Sequence, residues 1–320
     1  MGVDIKPEKV AAINAGQSPI LEPQMGELVA QSVERGNLAA TADSDMAVKE
    51  AEVCFICVGT PSKDNGSLDL TYVERVCEDI GRALGESTGY KVVVLRSTVL
   101  PGTLRERLIP ILAASSGKEP GTDFGVATNP EFLREGSAVA DFRNPPFTLV
   151  GQQDERAGDL LAALYADIPA PLYRVDPDAA CMIKYASNAF HALKVAFANE
   201  IGRFCGSQGT DAATVMEIFA QDTKLNISSR YLRPGFAFGG SCLPKDLRAL
   251  LYAARHGDCP LPVLEAILPS NQMQIDQALD LILSDGRRRV GVIGLSFKPG
   301  TDDLRESPVV QLVERLTGKG

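Results

Sequence analysis

The chain has only two histidines in 320 residues. That is too few for a typical zinc site, and no metal is expected. No apolar run approaches the ~18 residues of a membrane span, and no secretory start is present. An excess of positive charge is also missing. Lys and Arg number 32 against 41 Asp and Glu, a formal net charge of −9. That balance argues against a general nucleic-acid binder, so a phosphate-bearing ligand needs a local basic pocket. Cysteine is present without a pattern. Seven residues at irregular spacing form no disulfide framework. Cys54 and Cys57 make a C-x-x-C inside the apolar run Val53 to Val58. That run reads as a buried strand, in which residues three apart point to opposite faces. The expectation is a cytoplasmic protein with no nucleic-acid or membrane partner.

What is there is ordinary for a globular protein, with 45% hydrophobic and 23% charged residues. The length allows two domains and part of a third. In the first half, strands predicted at 53–58, 91–96, 124–128 and 147–151 alternate with helices near 6–15, 70–84, 103–115 and 155–166. The first two strands are continuous apolar runs, suited to a sheet covered on both faces. The alternation predicts an α/β fold, a doubly wound parallel sheet of Rossmann type. Ligands of such sheets bind beyond the strands' carboxyl ends, where Thr60-Pro61 and Ser97-Thr98 fall. A long helix from 176 to 207 follows, then helices near 211–221, 243–256 and 261–284, an all-helical middle section. Residues 289–295 read as a new strand and 307–317 as a helix, the first βα unit of another sheet. The domains are expected at 1–176, 177–284 and 285–320.

Two constellations carry chemistry. The segment Arg233-Pro234-Gly235-Phe236-Ala237-Phe238-Gly239-Gly240-Ser241-Cys242-Leu243-Pro244-Lys245-Asp246 sets a cysteine after a flexible glycine stretch and before a helix. Proline suits a first helical turn, where its missing N–H would be unpaired anyway. Unpaired backbone N–H groups, the helix dipole and Lys245 all favour a thiolate, so Cys242 reads as a nucleophile. The plain alternative is a small buried hydrophobe. On the long helix, Lys184, Asn188, His191 and Asn199 fall within a wedge of about 80° at 100° per residue. Such a stripe either faces solvent or lines a site.

These residues carry a resemblance. Val58-Gly59-Thr60-Pro61, Arg96-Ser97-Thr98-Val99, Asn129-Pro130-Glu131-Phe132-Leu133-Arg134-Glu135, the cysteine segment and Phe297-Lys298-Pro299-Gly300-Thr301-Asp302-Asp303-Leu304-Arg305-Glu306-Ser307-Pro308 occur in one order. They resemble motifs of the UDP-glucose/GDP-mannose dehydrogenase family, along nearly the whole chain. The resemblance implies NAD as cofactor and a four-electron oxidation of a nucleotide sugar's C6 alcohol to a carboxylate. The alcohol first becomes an aldehyde, Cys242 adds to give a thiohemiacetal, a second oxidation leaves a thioester, and water releases the uronate. Lys184 and Asn188 then hold water and the developing oxyanion. Glu131 is the matching base for hydrolysis, Asp246 orders water, and Thr98 helps hold that water or the cofactor. Matching positions assign cofactor contacts to Asp4, Lys9, Thr60, Thr98, Lys245 and Arg305. They assign substrate contacts to Glu135, Lys184, Asn188, His191, Asn199, Tyr231, Arg233, Phe236, Gly239 and Lys298.

Within the family, His191 and the Arg233 to Phe238 segment look more like the GDP-mannose branch, which feeds uronate polymers such as alginate. UDP-glucose is the alternative substrate. A module that only binds sugar nucleotide or dimerises is the alternative of another class. The family dimerises through its helical middle, so a homodimer or higher oligomer is expected. Met1-Gly2-Val3-Asp4 reads as the tail of a strand ending in an acid, the residue that meets the adenosine ribose in dinucleotide folds. The glycine loop G-x-G-x-x-G belongs about 20 residues earlier. The expectation is a chain truncated at both ends that binds NAD weakly by itself.

Overall fold

The computed structural model describes residues 1–228, 235–240, 242–284, 286, 289–297 and 304–319. The chain divides into two compact units, Met1–Ala189 and Phe190–Gly320.

The first unit runs β1 (Gly2–Val3), α1 (Pro7–Asn14), α2 (Met25–Glu34), β2 (Ala40–Thr41), α3 (Ser44–Glu50), β3 (Val53–Ile56) and α4 (Thr71–Gly85). It continues with β4 (Lys91–Leu95), α5 (Ile109–Ser116), β5 (Phe124–Thr128), α6 (Ala138–Arg143), β6 (Thr148–Gln152), α7 (Glu155–Leu164) and β7 (Leu172–Val175). A single π turn, Leu104–Leu108, leads into α5. β1 and β2 pair in parallel, and β3 to β7 form a second sheet in chain order. That sheet is parallel except where β5 meets β6, which run antiparallel.

β4 shows why the fold is doubly wound. All five of its residues are buried. Val93 and Leu95 face a core with Val73, Cys77 and Leu84 of α4 and Leu112 of α5. Val92 and Val94 face the other way, against Ala127, Val150 and, from α7, Ala157 and Leu161. Alternation along one strand thus seats helices on both faces. Each buried Leu or Val contributes roughly 1.5–3 kcal/mol relative to exposure. Cys54 is buried and Cys57 exposed, the opposed directions the strand reading expected.

The long helix α8 (Pro177–Ser207) begins in the first unit and ends in the second. The second unit continues with α9 (Ala212–Gln221), α10 (Leu243–His256), α11 (Pro262–Glu265), α12 (Ile267–Ser284) and α13 (Pro308–Thr317). Its core gathers Leu251, Ala254, Cys259, Leu261 and Leu264 with Phe197, Ile201 and Phe204 of α8. Glu200 is buried and accepts hydrogen bonds from Val263 N at 2.7 Å and Leu264 N at 3.0 Å. It thereby satisfies the unpaired donors that begin α11. Among the described residues no helix is long and apolar enough to cross a membrane.

One element differs from expectation. Residues 289–295 form no strand, and Val290, Val292, Ile293 and Leu295 are exposed. A strand requires a neighbour to pair its N–H and C=O groups. No strand among the described residues of this unit lies beside the segment.

Candidate active site

The first unit gathers polar groups at the carboxyl ends of its strands. β1 delivers Asp4, whose carboxylate accepts from Lys6 N at 2.9 Å and pairs with Lys9 Nζ at 3.3 Å. The Lys6 N–H, with Lys9 behind it, holds the Asp4 carboxyl below its ordinary range. The turns after β3 and β4 are stitched together. Thr60 Oγ1 donates to the Thr98 carbonyl at 2.9 Å, and Ser97 Oγ donates to the Val58 carbonyl at 2.5 Å. After β5, Asn129 is buried and donates through Nδ2 to the Leu149 carbonyl at 2.8 Å. Its Oδ1 accepts from Arg96 at 2.5 Å and from the Tyr165 hydroxyl at 2.6 Å. Burial raises the Tyr165 hydroxyl, with Arg96 opposing the shift.

Two residues beyond Asn129, Glu131 meets Lys184 of α8. Lys184 Nζ lies 3.4 Å from Glu131 Oε1 and 5.3 Å from the centre of the Phe132 ring. Lys184 is buried and Glu131 is half-buried. The other carboxylate oxygen of Glu131 accepts from Leu133 N at 2.6 Å. This is a fixed ammonium beside a fixed carboxylate, able to hold a developing oxyanion and to take a proton from water. The sequence stripe turns inward only here, since Asn188, His191 and Asn199 are exposed. Glu135 is exposed as well.

In the second unit Cys242 is exposed and stands at the start of α10, as its neighbours predict. Asp246 N donates to its carbonyl at 2.9 Å, the first turn of that helix. Lys245 pairs with Asp246 at 2.8 Å, and that contact raises the ammonium above its ordinary range. The positive charge expected to act on the thiol is therefore shared with the neighbouring acid.

Two of the glycines before the cysteine are tightly packed, which the sequence reading did not expect. Gly239 and Gly240 are buried. A Cβ on Gly239 would sit 2.3 Å from the Glu306 carbonyl oxygen, and one on Gly240 would sit 2.8 Å from the Phe297 ring. Gly240 also has φ +89, which side-chain-bearing residues rarely adopt. Asn271 of α12 fixes the preceding residue, accepting from Phe238 N and donating to its carbonyl, each at 2.9 Å. Arg248 of α10 forms a two-pronged ion pair with Glu306. Phe236 and Arg305 are exposed. Tyr231, Arg233 and Lys298 lie outside the described residues. Asn271, Arg248 and the Arg96–Asn129–Tyr165 network escape sequence reasoning. Arg96 and Asn129 open motifs already noted, and that was the available signal for them.

Family models match in chain order. The NAD-binding domain of the UDP-glucose/GDP-mannose dehydrogenase family matches residues 1–169, its central domain 178–273 and its UDP-binding domain 291–320. The chain is 52% identical to a GDP-mannose 6-dehydrogenase of Pseudomonas aeruginosa, over all of this chain and 73% of that one. It is 38% identical to a UDP-glucose 6-dehydrogenase of Haloferax volcanii, over all of this chain and 75% of that one. A crystal structure of a ternary complex of GDP-mannose dehydrogenase from Pseudomonas aeruginosa superimposes with a TM-score of 0.98 at 52% identity, covering all of this chain and 73% of that one. A UDP-glucose dehydrogenase from Pyrobaculum islandicum superimposes with a TM-score of 0.68 at 37% identity, covering all of this chain and 74% of that one.

Fold, motifs and likenesses together define an NAD-dependent oxidoreductase of Rossmann type. More narrowly, the chain belongs to the UDP-glucose/GDP-mannose dehydrogenase family. The residues present fit a dinucleotide. Asp4 offers a carboxylate at a strand's carboxyl end, the chemistry a ribose diol requires. Beside Thr60, Gly59 has nothing within 4 Å of where a Cβ would stand, so backbone there is open to a ligand.

Proposed function

We propose that the protein oxidises the C6 alcohol of GDP-mannose to the carboxylate of GDP-mannuronate. The supporting observation is the Lys184–Glu131 pair at 3.4 Å, an ammonium and a carboxylate held together at the end of β5. Likeness to GDP-mannose dehydrogenases at 52% identity supports the choice of sugar nucleotide. One alcohol, two NAD and one water give one carboxylate, two NADH and three protons. NAD, when bound, accepts a hydride in each of the two oxidations. Asp4 holds the adenosine ribose, and Lys9, Thr60, Thr98, Lys245 and Arg305 are the further cofactor contacts.

The Cys242 thiolate adds to the aldehyde carbon to give a thiohemiacetal, and the second oxidation leaves a thioester. Cysteine suits this role as a strong nucleophile and a fair leaving group. Lys184 and Asn188 stabilise the negative oxygen of the adduct. Glu131 takes the proton of the attacking water. That water's oxygen bonds to the acyl carbon, the C–S bond breaks, and the thiolate departs. Asp246 orders water, and Thr98 helps hold that water or the cofactor. Glu135, His191, Asn199, Tyr231, Arg233, Phe236, Gly239 and Lys298 contact the sugar nucleotide. In domain terms, 1–176 carries the cofactor, 177–284 the central chemistry and association, and 285–320 the start of the nucleotide domain.

A homodimer is part of the proposal. Phe190, Leu193 and Val195 of α8 and Ile218 of α9 are exposed apolar side chains, which a second copy would cover. The deciding experiment compares kcat/KM for GDP-mannose and UDP-glucose by NADH formation. A clear preference for GDP-mannose is expected. Preference for UDP-glucose moves the chain to the other branch. Binding of either sugar nucleotide without any NADH leaves only a binding module.

A further inference from the structure

We propose that Glu22 is a positioning residue for the loop that carries Glu131, an inference that rests on Glu131 being the hydrolytic base. Glu22 lies between α1 and α2, more than a hundred residues from that loop. Its two carboxylate oxygens nevertheless accept from the loop's far end, Oε2 from Gly136 N at 2.8 Å and Oε1 from Ala138 N at 2.9 Å. Charge-assisted bonds to backbone N–H groups are roughly twice as strong as neutral ones. Paired as here, they fix direction as well as distance.

The loop from 129 to 137 is thus pinned at both ends. At the start Asn129 is tied to the sheet through Leu95 and Leu149. At the finish Glu22 holds Gly136, which has φ +83, and the first residue of α6. Glu131 lies between the pins, and its carboxylate meets Lys184. Between them Arg134 is held too, its N–H and guanidinium on Asp141 of α6, so Glu22 completes the anchoring of the loop's far end.

The segment bearing Glu22 is not held by burial. Ile20 is 58% exposed and Leu21 is fully exposed. Polar contacts hold it instead, and they accumulate on one partner. Gln24 accepts from Arg143 of α6 at 3.2 Å while standing at φ +66, left-handed for a residue with a side chain. That conformation is disfavoured for a residue with a side chain and persists where the surroundings overdetermine it. The same segment follows α1, whose Lys9 pairs with Asp4.

The test uses Glu22→Gln, Glu22→Ala and Glu131→Gln in the whole protein. Steady-state and burst kinetics of NADH formation are measured together with hydrogen exchange at Gly136 and Ala138. In Glu22→Gln an amide NH2 faces one backbone N–H, so one bond is lost while bulk and fold are kept. We expect faster exchange at both amides and kcat lowered about 10- to 100-fold, the scale of a misplacement near 1 Å. KM for sugar nucleotide and NAD stays within about twofold and the NADH burst keeps its amplitude, because binding and oxidation precede hydrolysis. Glu22→Ala, which loses both bonds, is expected to be slower still. A merely structural Glu22 would lower the burst amplitude with the folded fraction and leave kcat per active site unchanged, which overturns the proposal. Glu131→Gln separates the two ideas. If it keeps normal kcat, the base assignment fails and the positioning role falls with it. If it is slow while both Glu22 variants are not, the positioning role alone is wrong.

Discussion

Replacing Gly239 with alanine puts a methyl group where another segment's backbone already lies. The new Cβ would fall 2.3 Å from the Glu306 carbonyl oxygen and 2.6 Å from Pro308 Cδ. Ordinary contact begins near 3.4 Å, so one backbone must retreat by about 1 Å. Neither neighbour is the end of a flexible side chain. Overpacking of this kind costs about 1–3 kcal/mol. Gly239 stands three residues before Cys242, and Asn271 pins Phe238 on its other side. Any shift of Gly239 is therefore resisted upstream and falls on the side of Cys242, the proposed nucleophile. A displacement near 1 Å at a reacting group lowers rate by up to about 100-fold. Urea unfolding measures the first effect, and NADH formation at saturating GDP-mannose the second. Gly235→Ala is the control, since its Cβ would meet nothing within 4 Å. That variant should stay within about 0.5 kcal/mol of the parent, as surface substitutions do. A Gly239→Ala protein as stable and as fast as the parent would refute the packing argument, as would an equal loss in Gly235→Ala.

Cys242→Ser should retain sugar-nucleotide binding by calorimetry while losing turnover by about 1,000-fold or more, because an alcohol at ordinary acidity is a weak nucleophile; near-normal NADH production removes the cysteine from the mechanism. Arg248 holds the Glu306 carboxyl below its ordinary value of 4.5. A carboxyl depressed in the folded state contributes stability that is present above 4.5 and lost as pH falls through the folded value. The stability difference between the parent and Arg248→Ala should therefore be constant near neutrality and narrow below about pH 4.5. A difference that persists unchanged down to acid unfolding would contradict that linkage.

The sheet was largely legible because its central strands are apolar on both faces. Val92, Val93 and Val94 are consecutive and all buried, which only a strand covered twice explains. β2 and β7 were not legible. Ala40–Thr41 is too short to show a period, and Leu172–Val175 interrupts its apolar ends with Tyr173 and Arg174. Residues 289–295 carry strand composition and form none, because composition describes a preference while pairing requires a neighbour. Among site residues, Cys242 announced itself through proline and lysine on its helical side. The bonds that Asn271 and Glu22 make were not legible. Each residue binds backbone N–H groups, which every residue but proline offers, so no pattern of residue types marks the partner.

That asymmetry bears on how rate is controlled in a protein of this kind. The groups proposed to carry the chemistry, Cys242 and the Lys184–Glu131 pair, sit on a helix start, a helix and a loop. A nucleophile or base contributes only when held within a fraction of an ångström of its productive place. Helix geometry supplies that precision for Lys184, which α8 carries near its beginning. Loops supply none of their own. The precision of Glu131 comes from Asn129, Asp141 and Glu22, and that of the approach to Cys242 from Asn271 and the Arg248–Glu306 pair. None of these is required to touch substrate. Substitutions among them should therefore lower kcat at nearly constant KM, whereas substitutions at substrate contacts should raise KM. Sorting variants by that ratio would separate the residues that react from those that hold them in place.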